Sequence, residues 1–265
     1  MRLASLSSGS NGNCFYVGDD NTHVLIDAGI SLKAVEEGLN ALDLTLNDID
    51  AILITHEHSD HIKGLGVLER KCEIPVFASE GTVKGILSTK SLGNFNFDCI
   101  NSLNNLQSFR IKNLNFHPHR IYHDANEPLC FSFDDKIKRA AVVTDLGHFD
   151  DLLVDELGRL DFILAEANHD VRMLQLGPYT YQLKRRILSD VGHLSNENCG
   201  KFVSRLLNDD IKGIMLGHLS DKNNLPELAY EAVKVEITFS DNKYEGNDFP
   251  IYVAKRNEIS NIITI

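Results

Sequence analysis

The stretch IDAILITHEHSDH, residues 49–61, runs from an apolar segment straight into three histidines and an aspartate. Ile49–Ile54 is rich in branched aliphatic residues and reads as a buried strand. Behind it, His56, His58, Asp60 and His61 crowd four metal-donor side chains into the loop at the strand's end. Their spacing, H-x-H-x-D-H, has a geometric meaning. His56 and His58 are two residues apart, so an extended backbone points both the same way. Asp60 and His61 come after the chain has turned, and can face a second ion beside the first. Imidazole and carboxylate donors suit zinc, manganese or iron. The competing reading is a surface loop of titrating histidines, which leaves the crowding of donors behind a buried strand without a reason.

Outward from this motif, short apolar runs recur at Cys14–Val17, His23–Ile26, Val76–Ala78, Phe109–Phe116, Leu129–Phe133, Ala140–Thr144, Phe162–Ala165, Ile211–Leu216 and Ile251–Ala254. Helical patterns lie between them at Leu32–Leu42, Gly64–Lys71, Thr82–Thr89, Tyr179–Leu188, Glu197–Leu207 and Pro226–Val233. Interleaved strands and helices indicate an α/β (α+β) chain, with sheet layers covered by helices. Hairpin-like spacing in the first and middle thirds predicts mixed rather than purely parallel sheets. No low-complexity linker divides the chain, so residues 1–265 read as a single domain. The pentapeptides GHLSN (192–196) and GHLSD (217–221) are near copies, but their surroundings differ, and no domain repeat follows.

Composition sets further bounds. The 26 basic and 38 acidic residues leave a formal charge of −12, which argues mildly against broad adhesion to nucleic acid. Local basic clusters or bound cations reverse that sign at a single site. The five cysteines are scattered and never in CxxC spacing, so they read as free thiols in a reducing compartment. No apolar stretch reaches membrane-spanning length, and the N-terminus turns polar too early for a signal-peptide core. A cytoplasmic protein with no membrane partner is the expectation, and protein partners are not legible.

Four ligands rarely complete a two-metal site. Three more donors obey the same rule of a polar ligand at a strand end: Asp145 after Ala140–Thr144, His218 after Ile211–Leu216, and His123 after the Phe109–Phe116 strand. H-x-H-x-D-H, then a distant His, an Asp in TDLG and a last His after a strand resembles the metallo-β-lactamase superfamily. Asp27 in LIDAG matches the aspartate of that family's first motif, which supports the metal loop. The resemblance implies a four-layer αββα sandwich of two mixed β-sheets, the metallo-β-lactamase fold. It further implies two divalent ions: the first held by His56, His58 and His123, the second by Asp60, His61 and His218, with Asp145 bridging. A pair of ions about 3.5–4 Å apart turns bound water into hydroxide near neutral pH and clamps phosphoryl or acyl oxygens.

Longer stretches are similar to the YycJ/WalJ group of metallo-β-lactamase-fold hydrolases: LASLSSGSNGNCFYV (3–17), THEHSDHIKGL (55–65), HDANEP (123–128), EANHDVRMLQLGPYTYQLKRRILSDVGHLSN (166–196) and GHLSDKNN (217–224). That resemblance implies a double-strand DNA exonuclease without an inserted β-CASP domain, and a role in DNA repair. The residues themselves are compatible with a phosphate substrate. Ser8, Ser10 and Asn11 lie in a glycine-rich turn that either cradles an anion or closes an ordinary hairpin. Lys184, Arg185 and Arg186 form a basic cluster, either a solvated helix face or a contact to a nucleic-acid backbone. Asn168 and His169 follow the Phe162–Ala165 strand. The catalytic candidates are Asp60 with His169 and His193, the histidines binding the scissile phosphate or protonating the leaving oxygen. A structural role tying loops together is the alternative for each histidine. His117, His119 and His148 match nothing specific, and His23 reads as a strand residue. Two other functions stay open: hydrolysis of a small ester, thioester or cyclic phosphodiester on the same metals, and a non-catalytic, metal-bearing nucleic-acid-binding protein.

Overall fold

The computed structural model describes all of residues 1–265. Its first sheet is built from β1 (Arg2–Ser7), β2 (Cys14–Gly18), β3 (His23–Ile26), β4 (Ala51–Leu53), β5 (Val76–Ala78) and β6 (Ile100–Ser102). The second holds β7 (Phe109–Ile111), β8 (Leu114–Arg120), β9 (Leu129–Asp134), β10 (Arg139–Val143), β11 (Phe162–Glu166), β12 (Gly213–Gly217) and β13 (Ile251–Val253). A last strand, β14 (Ile263–Thr264), returns to pair with β1, so each sheet has seven strands. Both sheets are mixed, as the hairpin spacing predicts. Strands β1 to β3 and β7 to β10 are antiparallel, whereas β3 to β6 and β10 to β13 are parallel.

Three apolar layers account for the architecture. One core of 19 buried residues lies between the sheets, and cores of 24 residues lie on each outer face. Three cores of similar size require four layers of secondary structure. Alternation along the strands assigns each side chain to its layer: Val24 and Ile26 of β3 face the central core, while Leu25 faces outward. In β10, Ala140 and Val142 point inward, and Ala141 and Val143 outward. The first outer core is covered by α1 (Leu32–Asn40), α2 (Ser59–Ile62), α3 (Leu65–Cys72) and α4 (Glu80–Ser88). The second is covered mainly by α5 (Asp151–Leu157), α8 (Asn196–Leu206) and α9 (Pro226–Phe239), while α6 (Val171–Leu176) and α7 (Tyr181–Ile187) lie beside the end of β11.

Several expected boundaries are corrected. Strand β1 was not expected, because RLASLS carries two serines. Of these, Ser7 is buried, and its Oγ donates at 2.6 Å to the Arg256 carbonyl, a partner the sequence does not place nearby, and lies 2.9 Å from the Gly12 carbonyl. The expected strand Phe109–Phe116 is a hairpin, broken where Lys112 adopts φ 45°. The helix read from Tyr179 starts at Tyr181, because Thr180 caps it by accepting from Leu183 N. Helix α9 continues to Phe239, beyond the expected Val233, and the short helices α5 and α6 lacked a long enough period to be read.

Candidate metal centre

The donors gather at the carboxyl ends of the parallel strands of both sheets, where an α/β chain opens a crevice for ligands. From the first sheet come Asp27 after β3 and His56 two residues beyond Ile54, at the end of β4. Asp145 follows β10 in the second sheet, Glu166 ends β11, and His218 follows β12 directly. Asp27, Asp145 and His218 all sit in left-handed backbone, at φ 63°, 59° and 56°. That conformation turns the chain back over the strand end at a cost of about 1–2 kcal/mol per residue, least for Asp and Asn. His58 occupies the N-cap position of α2, but its ring caps nothing and stays available to the cluster.

Four groups of donor atoms lie within metal-binding reach: His56 with His58 and His123; His56 with His61 and Asp145; Asp60 with His61 and His218; and Asp145 with Glu166, His193 and His218. His123 Nε2 is 3.2 Å from His58 Nδ1. His61 Nε2 lies 3.2 Å from Asp145 Oδ2 and 3.5 Å from Asp60 Oδ2, which is also 3.5 Å from His218 Nε2. The seven ligands named from the sequence are therefore brought together.

Most of these imidazoles are tethered through Nδ1, leaving Nε2 for the centre. His61 Nδ1 donates to Asp27 Oδ2 at 2.7 Å. Asp27 also accepts from Thr55 N and Oγ1, and Thr55 Oγ1 accepts from His56 Nδ1 at 3.0 Å. His123 Nδ1 donates to the Gly192 carbonyl at 3.1 Å, and His218 Nδ1 to Glu166 Oε1 at 2.7 Å. Such partners fix the tautomer and the ring orientation of metal-binding histidines. The buried His56 Nε2 and Asp145 Oδ2 make no hydrogen bond at all. Orphaned buried donor atoms facing one another are what a pair of divalent cations would satisfy, so the residues fit the ions.

Electrostatics agree. Burial alone would raise the carboxylic acids, yet His218 and His61 hold Asp145 well below the usual carboxylate range. Against the same burial, His61 holds Asp60 low, assisted by His218. Burial opposes a charge on His218, but Asp145, Asp60 and Glu166 raise it to about 10. Without cations, protons held on His61 and His218 compensate the cluster's carboxylates, with Arg186 nearby.

The family model for the beta-lactamase superfamily domain matches residues 22–211. The chain belongs to the beta-lactamase superfamily. Within it, the chain is 40% identical over 88% of its length to exodeoxyribonuclease YycJ of Bacillus anthracis, covering 88% of that protein. It is 38% identical over 95% of its length to exodeoxyribonuclease WalJ of Streptococcus pneumoniae serotype 2, covering 93% of it. Among solved structures, the metallo-β-lactamase-fold protein YhfI of Bacillus subtilis superposes with a TM-score of 0.72 at 13% identity, over 98% of each chain. The short form of human tRNase Z superposes with a TM-score of 0.66 at 17% identity over the full length of both. These two likenesses show the fold. This superfamily member is a metal-dependent hydrolase, and the resemblance read from its motifs holds over nearly the whole chain.

The remaining sequence candidates divide. A cavity of about 220 Å³ opens on the donors, lined also by Ser10, Asn168, Tyr179, Arg186, His193 and Ser220. Ser8 does not reach it: Ser8 is buried and its Oγ accepts from His218 N at 2.8 Å, positioning a ligand. Asn11 lines a different cavity and engages Lys63 through its carbonyl. The Gly9 and Gly12 amides are spent on Asn13 Oδ1 and the Gly9 carbonyl. Of the three basic residues, Arg186 faces the cavity, where its guanidinium is paired with Asp124. Lys184 donates to the Gln175 carbonyl, and Arg185 lies over the Tyr181 ring. His193 borders the donors, whereas His169 is buried, lines no part of the cavity and has no partner for either ring nitrogen.

Two residues of the site went unnamed in the sequence. Glu166 is buried and fully engaged: Oε1 accepts from His193 Nδ1 (2.9 Å) and His218 Nδ1, and Oε2 from the Leu146 and Leu194 amides. Burial would raise its carboxyl, but His193 and His218 bring it down to about 2. It obeys the same strand-end rule that singles out Asp145, and that was the available signal. Asn13 Nδ2 lies 3.1 Å from His61 Nε2 and 3.4 Å from Asp60 Oδ2, but its loop carries no metal spacing.

Proposed function

We propose that this protein is a DNA-directed phosphodiesterase, an exonuclease on double-stranded DNA. The observation that carries the reading is the similarity, over 88% and 95% of the chain, to two proteins named exodeoxyribonucleases. We assign one divalent ion to His56, His58 and His123 and the other to Asp60, His61 and His218, with Asp145 between them. Zinc and manganese both suit this donor set, and a cytoplasmic repair enzyme suits the free cysteines. When bound, the ions supply a nucleophile at neutral pH and Lewis-acid stabilisation of the phosphoryl oxygens.

The chain's own residues do the rest. Glu166 holds His193 by Nδ1, so Nε2 faces the cavity and passes a proton to the leaving oxygen. Arg186 offers a bidentate guanidinium to a phosphate once it exchanges Asp124 for the substrate. Asn168 Nδ2 donates to the His218 carbonyl at 2.9 Å and fixes the loop that carries that ligand. His169 lies behind this surface and packs the loops together.

The test is end-labelled duplex and single-stranded DNA incubated with metal-loaded protein, beside His58→Ala and Asp60→Ala. Progressive, metal-dependent shortening that both variants abolish is expected. Glu166→Gln keeps all seven ligands and is expected to lose about 10–100-fold in activity with its metal content little changed. No cleavage with zinc, manganese or magnesium, together with rapid turnover of a small ester, would overturn the reading.

A further inference from the structure

A cavity of about 650 Å³, larger than the one of about 220 Å³ over the metal donors, lies apart from them. It lies on the outer face of the second sheet, where β8, β9 and β10 run beside α5. Farther along, that face is apolar, with Cys130, Ala141 and Ile163 packed under helices. Here it turns polar: His119 on β8, Ser132 on β9 and Arg139 on β10 stand in a row. Ser132 Oγ meets His119 Nε2 at 2.9 Å and Arg139 Nη2 at 3.0 Å, and both His119 and Ser132 are buried.

Every basic side chain lining this cavity lies within 4 Å of a carboxylate except one. His117 pairs with Asp134 at 2.6 Å, His119 with Glu156 at 3.3 Å, and Arg120 with Glu127 at 3.3 Å. Arg139 is half-buried, and its Nη2 reaches only the Ser132 hydroxyl and the Glu156 main-chain carbonyl. Its Nε is buried with no hydrogen bond. Its neighbour across the sheet, Asp134, is committed to His117 and Asn115. Asp134 is thus the one charge that offsets this partly desolvated guanidinium, without bonding it, and an anion in the cavity would pair with it directly.

The other end of the cavity is aromatic. Tyr122 is exposed and stacks on His148 with ring centroids 3.9 Å apart, and its hydroxyl donates to Asp150. Helix α5 joins the two ends. Asp150, at its N-cap, lies by Tyr122, and Glu156, by Arg139, is six residues on, about 9 Å along the helix axis. Tyr122 also directly precedes the metal donor His123 in the chain. His119 and His148, which the metal centre leaves unused, both belong to this cavity and its rim.

We propose that the cavity is a second binding site, taking a nucleoside phosphate with its phosphate on Arg139 and its base against the Tyr122–His148 stack. Arginine suits a phosphate bidentately, and an exposed aromatic face stacks any base. The anion site stands on the cavity alone, while the choice of a nucleotide rests on the nuclease reading. The ligand is either the end of a DNA strand or a free mononucleotide.

The experiment titrates dAMP, and separately inorganic phosphate, into wild-type protein, metal-chelated wild type, Asp60→Ala, Arg139→Gln, Arg139→Lys and Tyr122→Ala, with circular dichroism confirming each fold. The proposal expects dAMP to bind the chelated and Asp60→Ala proteins as it binds wild type. Arg139→Gln should weaken both ligands about tenfold or more, and Arg139→Lys less. Tyr122→Ala should weaken dAMP about fivefold and leave inorganic phosphate unchanged. A DNA end as the ligand raises KM for duplex in Arg139→Gln at unchanged kcat. A free mononucleotide leaves KM unchanged, and added dAMP then alters the wild-type rate but not the Arg139→Gln rate. No dAMP binding to chelated protein, or equal affinity in folded Arg139→Gln and Tyr122→Ala, would overturn the site. Binding without DNA cleavage refutes the nuclease reading alone; cleavage without binding to chelated protein refutes the site alone.

Discussion

Single side chains at the centre divide into those that face the donors and those that aim them. Asp27, Thr55, Glu166 and the Gly192 carbonyl together hold the Nδ1 atoms of His56, His61, His123 and His218. His169 belongs to neither group, and its burial has a consequence for stability. Burial lowers its ring to about 4, from an ordinary value of 6.5. Above pH 6.5 the folded and unfolded chains both carry it neutral, and it adds no pH dependence. As pH falls from 6.5 towards 4, the unfolded chain gains a proton that the folded chain cannot take, so stability falls. The loss is on the order of 3 kcal/mol by pH 4 and then levels off. Denaturant titrations of wild type and His169→Gln between pH 7 and pH 4 check this: the variant should gain about that much relative to wild type as pH drops. An unchanging gap would show that the ring is not held neutral by burial.

At the scale of elements, turns carry the site because parallel strands end side by side. The turn after β3 is packed so closely under α2 that a Cβ on Gly29 would lie 1.6 Å from the Asp60 carbonyl oxygen. The same carbonyl accepts from Asn13 N at 2.8 Å, and Gly29 N donates to the Asn13 carbonyl at 2.8 Å. Three loops thus meet backbone to backbone beneath Asp60 and His61. Gly29→Ala is expected to displace α2, at an overpacking cost of about 1–3 kcal/mol, and to empty the Asp60–His61–His218 position first. On the proposed two-ion assignment, elemental analysis of the purified variant should then show metal content falling from two ions per chain towards one. Two retained ions would mean that the turn yields without moving α2. The H-x-H-x-D-H loop was legible because its donors are adjacent in sequence. The role of Gly29 was not, since the atom that excludes a side chain lies thirty-one residues away.

Taken whole, the molecule is two seven-stranded sheets joined by an apolar core and bridged at one end by the metal donors. His56, His58, Asp60 and His61 come from the half of the chain that forms the first sheet, and His123, Asp145 and His218 from the half that forms the second. Ions bound there cross-link the halves, and bind the folded chain alone. At a free metal concentration of about 100 times Kd, each site adds about 2.7 kcal/mol. Chelation should therefore lower Tm by roughly 5–20 °C, read by calorimetry with and without added metal. An unchanged Tm would mean that no ion joins the sheets. The charge of −12 is a property of the whole surface and does not describe the cavity, where Arg186 stands among the donors. No helix is long and apolar enough to cross a membrane.

The sequence by itself determined the chemistry of the centre and the class of fold. Those signals are local: apolar runs of strand length, each followed by a His or Asp, and donors at alternate positions. Only the tertiary structure decided which of the nominated polar residues face the donors. Arg186, Asn168 and Ser10 do, while Ser8, Asn11, Lys184 and Arg185 are engaged elsewhere. Glu166, Asn13 and the unpaired Arg139 likewise emerged only from the fold. The physical reason is that a polar side chain's role is set by which partner satisfies it, and for these residues that partner lies on another strand or loop, brought near by packing alone.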